Sequence, residues 1–335
     1  MDFLSNYGLF FFKLISIVIA ILVVLLGVVA ILSKDKLKLQ AKLSVTPLNK
    51  KLTEYSRTLL QVIEDKEQLK ALQKKEKRAT KNKQEQARLF VLNFHGDIRA
   101  SQVNSLRETI TAILLIAKPK DEVLVRLESA GGMVNAYGLA ASQLSRIKEA
   151  KLKLTIAVDK IAASGGYLMT CIADHIIAAP FAIIGSIGVI VQLPNFHDFL
   201  KDKNIDFEQV SAGEYKRTLT LFGENTKKGR EKMQQEVEEV HALFKDHILQ
   251  YRPQLTIEQV ATGEYWLAQK ALELQLVDEL NSSDNYLLNA SKKMAIYEIE
   301  YKMKKSLPQR MMNGAAQVWH SFIQLGSTKT GQDFM

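Results

Sequence analysis

Apolar and polar positions divide this chain into stretches of different character. From Leu14 to Ser33, 20 residues pass without a charge. As a helix rising ~1.5 Å per residue, such a run spans ~30 Å, the thickness of a bilayer core. It is read as one uncleaved membrane anchor. A cleaved signal peptide is the competing reading, but its apolar core runs ~7–15 residues before a small-residue cleavage site. Here the run is longer and meets Lys34, Lys36 and Lys38 directly. After Pro47, the residues Leu52, Tyr55, Leu59, Val62 and Leu69 follow a helical period broken by Lys66. That period predicts an amphipathic helix, either a short coiled-coil seam or a single helix lying on the domain or the membrane. From Lys74 to Arg88 nearly every residue is polar, as in a linker or the solvated end of that helix.

From Leu89 onward, short apolar runs alternate with amphipathic stretches. Leu89–Phe94 predicts a buried strand, Ser101–Ala117 a helix and Glu122–Leu127 a second strand. Leu152–Val158 is strand-like, Ser164–Ala173 helical, Ile183–Val191 strand-like, Pro194–Lys203 helical and Phe207–Val210 a strand. Thr226–Tyr251 predicts a long charged helix, with shorter ones near Leu267–Leu274 and Asp284–Met294. Strands alternating with helices imply an α/β fold. A second uncharged stretch, Ile176–Pro194, is cut by Pro180, Gly185 and Gly188 into pieces suited to buried strands and turns rather than a second membrane crossing. The expected organisation is a tail and anchor over 1–35, a basic helical linker over 36–88, a globular domain over 89–300 and a tail over 301–335.

Composition changes this picture at three points. The formal net charge of +9 over 335 residues raises the question of nucleic acid, but the excess is local. Between Lys34 and Arg88 there are 16 Lys/Arg against 7 Asp/Glu, and the remainder holds 29 of each. A basic stretch beside an apolar run fits anionic lipid headgroups better than nucleic acid, which is not expected as a partner. The same flank, set against Lys13 alone on the N-terminal side, puts the large domain in the cytoplasm if the positive-inside rule is taken literally. Finally, Cys171 is the one cysteine, which excludes an internal disulfide and a cysteine-rich metal site. The six histidines have no zinc-ligand spacing, and neither metal nor cofactor is expected.

Candidate chemistry gathers at three glycine-containing turns, each after an apolar segment: Glu-Ser-Ala-Gly-Gly at 128–132, Ala-Ser-Gly-Gly-Tyr at 163–167 and Gly-Ser-Ile-Gly at 185–188. Backbone amides at Gly131 and Gly132 could hold a developing oxyanion, although such a pair is also an ordinary strand-to-helix turn. Ser164 stands before two glycines and a helix, where a serine is commonly just an N-cap. A base would make it a nucleophile. No histidine recommends itself, and no GxSxG elbow is present, although a triad assembled in space stays open. Lysine is the other option, yet an exposed lysine with pKa ~10.4 is neutral in only roughly 0.04% of molecules at pH 7, so burial must favour the amine by ~4 kcal/mol. Lys216, following Phe207–Val210 and lying near Tyr215, Leu219, Leu221 and Phe222, has a context suited to that.

These four motifs in order, the Gly131-Gly132 turn, Ala-Ser-Gly-Gly-Tyr, Gly-Ser-Ile-Gly-Val at 185–189 and Gly-Glu-Tyr-Lys at 213–216, resemble the signal peptide peptidase A family, most closely its shorter SohB-type members. The segment 263–280 fits the same family, with Gln275 where glycine is usual, and Ala130 stands where many relatives have proline. The resemblance implies a ClpP/crotonase-type fold of repeated ββα units. It implies Ser164 as nucleophile, Lys216 as general base, Ser186 orienting the Lys216 amine and the Gly131 amide in the oxyanion hole. It further implies cleavage of remnant signal peptides or other hydrophobic polypeptides at the bacterial inner membrane, with the catalytic domain periplasmic and the chain self-associated as a homo-oligomer. A crotonase-like enzyme acting on acyl thioesters and a non-catalytic scaffold binding polypeptides in the same groove are the alternatives.

Overall fold

The computed structural model describes residues 8, 10–21, 24, 42–64 and 86–302. The chain forms two compact units, Met1–Leu43 with Tyr301–Met335, and Ser44–Glu300. In the first, residues 10–21 are helical and their apolar side chains are exposed. The rest of the expected anchor lies outside the described residues apart from Val24. Among the described residues, no helix is long and apolar enough to cross a membrane. The polar stretch from Lys74 also lies outside them as far as residue 85.

In chain order the elements begin with β1 (Lys42–Pro47), α1 (Leu48–Ile63), β2 (Arg88–Gly96), α2 (Val103–Leu114), β3 (Glu122–Ser129) and α3 (Val134–Glu149). There follow β4 (Lys153–Val158), β5 (Ile161–Ala163), α4 (Gly165–Thr170), β6 (His175–Ala178), β7 (Ile183–Gly185) and α5 (His197–Asp202). The last are α6 (Lys227–Tyr251), α7 (Ile257–Val260), β8 (Tyr265–Leu267), α8 (Ala268–Glu273), β9 (Glu279–Leu280), α9 (Ser283–Ala290) and β10 (Ala295–Lys302). The sheet runs β1-β10-β2-β3-β4-β6-β9, and its pairs from β10–β2 to β6–β9 are parallel. Off this path β5 pairs in parallel with both β3 and β7, and β7 pairs antiparallel with β8. The α/β class expected from the alternation is what forms.

Burial on both faces is why the strands read as unbroken apolar runs. Phe90, Leu92 and Phe94 of β2 enter the larger core with Val123, Val125 and Leu127 of β3. Leu89 and Val91 point the other way, into a smaller cluster with Leu124 and Ala157, because side chains alternate along a strand. Helices α2 and α3 close the larger core through Leu106, Ile110, Ile113, Leu144 and Ile147. On the smaller, Leu287 of α9 and Leu48 of α1 pack. Each Leu or Ile side chain so buried contributes about 1.5–3 kcal/mol, enough that slipping a strand by one residue is prohibitive. The stretch from Ile176 is core as expected, with Ile176, Ile177, Ala178, Ile184 and Ile187 buried across β6, β7 and the turn after it.

Several expectations need correction. The strand expected over Ile183–Val191 ends at Gly185, and 186–196 has no regular structure. Phe207–Val210 is not a strand, and Val210 is fully exposed. No neighbouring strand takes its backbone hydrogen bonds, and β-branched residues do not make a strand without one. The helix after Ser164 is only Gly165–Thr170. The pattern did not predict β1, β8, β9 or β10.

Gln275 sits at φ 60°, a conformation that favours glycine and that closes α8. This turn delivers its carbonyl to Arg252 Nη2 at 2.7 Å. Arg252, 4% exposed, also grips both carboxylate oxygens of Asp278, at 2.9 and 2.7 Å. Burial pushes the Asp278 carboxyl up, but the Arg252 hydrogen bonds and the Ile176 amide outweigh it and leave the group below its usual range. The folded state therefore favours the carboxylate. Its contribution is complete above the unfolded value of ~4 and is lost as pH falls through the lowered folded value. Asp278→Ala strands a buried guanidinium, which costs about 3–5 kcal/mol. The expected result is a melting midpoint lower by roughly 6–20 °C at neutral pH, with the gap to wild type narrowing below about pH 4. Thermal melts across pH check both.

Candidate active site

Parallel pairing brings three strand ends into line. Ser129 of β3 faces Ala162 of β5, and Ala163 of β5 faces Gly185 of β7. Carried one or two residues beyond the strands, this register sets Gly131 beside Ser164 and Ser164 beside Ser186. The contacts agree. The Ser164 amide donates to the Gly185 carbonyl at 2.8 Å. A β-carbon added to Gly131 would lie 2.7 Å from Ser164 Cβ and 2.8 Å from the Gly165 nitrogen. Gly131 also has φ 92°, so both the space and the conformation require glycine there.

Ser164 has φ 52° and ψ −119°, a strained combination for an L-residue costing about 1–3 kcal/mol. It forms the sharp turn from β5 into α4 and stands at the N-cap position, yet its side chain makes no cap hydrogen bond. Among the described residues its hydroxyl has no hydrogen-bond partner at all, so capping does not account for it. A half-buried serine on a strained strand-to-helix turn with a free hydroxyl is placed as a nucleophile is placed. Ser186 is also half-buried, at φ 50°, with its amide donating to the Glu264 carbonyl at 2.7 Å.

The Gly131 amide is not free. It donates to Ser129 Oγ at 3.1 Å, so the N–H expected to face an oxyanion is engaged within its own turn. The amide of the exposed Gly132 has no acceptor among the described residues. Gly165 begins α4, where the first amides lack partners within a helix.

Lys216 stands in a separate turn. It is exposed, in a turn closed by its amide donating to the Gly213 carbonyl at 3.1 Å. The turn is held against the start of α6, where Glu214 pairs with Lys228 and raises its pKa. The Tyr215 ring lies under the ammonium groups of Lys228 and Lys232, each 5.8 Å from its centroid. A cavity of about 310 Å³ opens between these elements, lined in part by Phe207, Tyr215 and Arg217. The Lys216 ammonium makes no hydrogen bond or ion pair among the described residues, and so none to Ser164 or Ser186. Among the described residues no histidine is hydrogen-bonded to Ser164 either. His247 Nε2 donates to the Leu168 carbonyl, 3.2 Å away, and burial lowers its pKa. Among the described residues no group of three or more His, Cys, Asp or Glu could hold a metal ion.

Residues 2–144 match the family described as peptidase family S49 N-terminal, and residues 146–297 match peptidase family S49. The probable protease SohB of Haemophilus influenzae is 45% identical over 350 aligned residues, covering 100% of this chain and 99% of that one. The probable protease SohB of Buchnera aphidicola subsp. Schlechtendalia chinensis is 44% identical over 308, covering 86% of this chain and 100% of that one. Among solved structures, the 1510-N membrane-bound stomatin-specific protease aligns over 62% of this chain and 85% of its own at 14% identity, with a TM-score of 0.43. The class defined by these sequence matches is a protease. The chain belongs to peptidase family S49 and, within it, to the SohB type.

Proposed function

We propose that the chain is a membrane-anchored serine endopeptidase using Ser164 and Lys216. Ser164 Oγ attacks the peptide carbonyl carbon while its proton passes to Lys216 Nζ. The tetrahedral oxyanion is held by the Gly131-Gly132 turn, through the Gly132 amide, together with the Gly165 amide. Collapse expels the amine, which takes the proton from Lys216. Water, deprotonated by Lys216, then attacks the acyl carbon, and as the ester bond to Ser164 breaks the Lys216 proton returns to Oγ. Ser186, next to Ser164 in register, orients the lysine amine. The observation that carries this reading is the strained, uncommitted Ser164 packed against Gly131.

A lysine amine serves as a base near neutral pH only once desolvated, whereas Lys216 is exposed in the single chain. On this reading a cover forms over the segment after β7, where Ile190, Val191, Phe199, Ile205 and Val210 are exposed. A second copy of the chain supplies it. These apolar residues lead away from Ser186, so they also suit an extended apolar polypeptide, such as a remnant signal peptide or a misfolded membrane segment. The strand–short strand–helix order of β4, β5 and α4 fits the ββα unit of the ClpP/crotonase type. The segment 14–33 anchors the chain in the bacterial inner membrane, with catalysis on the periplasmic side. Exposure of Lys216 is the one observation favouring a non-catalytic polypeptide-binding scaffold instead.

The test is degradation of unfolded casein by the full chain in nanodiscs. The expected result is cleavage that a serine-directed phosphonate stops and a metal chelator does not. No cleavage, or cleavage blocked only by the chelator, counts against the reading.

A further inference from the structure

The hydroxyls beneath the Ser164 turn form a chain whose direction is fixed at one end. Tyr137 Oη lies 2.8 Å from the backbone carbonyl of Asp97, which can only accept, so the tyrosine donates there. Ser129 Oγ, 2.5 Å from Tyr137 Oη, therefore donates to the tyrosine oxygen. The serine oxygen is then the acceptor for the Gly131 amide at 3.1 Å. We propose that Ser129 and Tyr137 are positioning residues for the Ser164 site, holding the Gly131 amide inward so that Gly132 presents the outward donor to the oxyanion. This rests on the peptidase reading of Ser164.

Packing joins the pair to both turns. Ser129 is 2% exposed and Tyr137 fully buried. A β-carbon on Gly96, at the end of β2, would fall 2.3 Å from Tyr137 Oη and 2.4 Å from Ser129 Oγ. One on Gly165, next to Ser164, would fall 2.5 Å from the Tyr137 ring. The acceptor is fixed as well. The Asp97 carboxylate takes the amides of Arg99 and Ser101 at 3.1 and 2.8 Å, and the Met133 amide donates to the Ile98 carbonyl at 2.8 Å. The loop after β2, the turn after β3 and the serine turn after β5 thus meet at one hydroxyl pair. Burial holds the Tyr137 phenol above its usual pKa, so it stays a donor.

The experiment uses the full chain and the variants Ser129→Ala, Tyr137→Phe and the double variant, with active sites counted by phosphonate titration. The expected result is a kcat per titrated site lower by about 10–100-fold in each, with KM within about twofold. The double variant is expected to be little worse than either single one, since all act on one amide. A merely structural role would instead lower the melting midpoint and the titrated fraction and leave kcat per site within about threefold of wild type, which overturns the proposal. Amide exchange reads the geometry without turnover. The Gly131 amide is expected to be protected in wild type and to exchange at least about tenfold faster in both single variants; unchanged exchange also overturns the proposal. If wild type and Ser164→Ala hydrolyse peptide equally, the peptidase reading fails, and the relay's catalytic role fails with it. Failure of the relay alone leaves wild type active and Ser164→Ala inactive.

Discussion

Ser164→Ala leaves the domain folded and lowers peptide turnover by roughly 10⁴–10⁶-fold. The hydroxyl makes no hydrogen bond among the described residues, so its removal orphans no buried partner there and leaves a melting midpoint within about 2 °C of wild type. Alanine carries the same strain at φ 52° as serine does, so the turn keeps its shape. On the proposed mechanism, what disappears is the atom that bonds to the substrate carbonyl. The residual rate comes from the oxyanion donors acting on water. Turnover of a fluorogenic peptide, with melts on the same samples, measures both. A loss under about tenfold would place the nucleophile elsewhere.

Lys216→Ala is expected to lower turnover by about 10²–10⁴-fold, the usual worth of a general base. Stability again stays near wild type, because the side chain is exposed and its ammonium pairs with nothing among the described residues. Lys216→Arg does not rescue, since a guanidinium never gives up its proton under these conditions. On the proposed mechanism a second copy covers this lysine, so specific activity is also expected to fall on dilution. Activity in Lys216→Ala within about threefold of wild type would show that another group takes the proton from Ser164.

The sequence carried the row of turns well and the base poorly, for different physical reasons. Gly131, Ser164 and Ser186 each follow a short apolar run, and parallel pairing of β3, β5 and β7 turns that repetition into adjacency. Periodicity could not reveal that register, since β5 and β7 are three residues each. The neighbours of Lys216 in sequence, Tyr215, Leu221 and Phe222, suggest burial, but all three side chains are partly exposed. Apolar neighbours in sequence bury a residue only if some surface covers them. Phe207–Val210 failed as a strand for the same reason. Ser129 lay inside the Glu-Ser-Ala-Gly-Gly motif as an unremarked polar residue. Its partner Tyr137 is eight residues on in α3, and nothing in a linear pattern says that two hydroxyls meet. Gln275 was visible as a departure from glycine, and its φ of 60° shows what the departure costs.

The most direct test is to treat the full chain with a fluorophosphonate and map the adduct by mass spectrometry. One modified residue, Ser164, is expected, with labelling abolished in Ser164→Ala and slowed at least about a hundredfold in Lys216→Ala. An adduct on another serine, or none while casein is still degraded, would contradict the proposed mechanism.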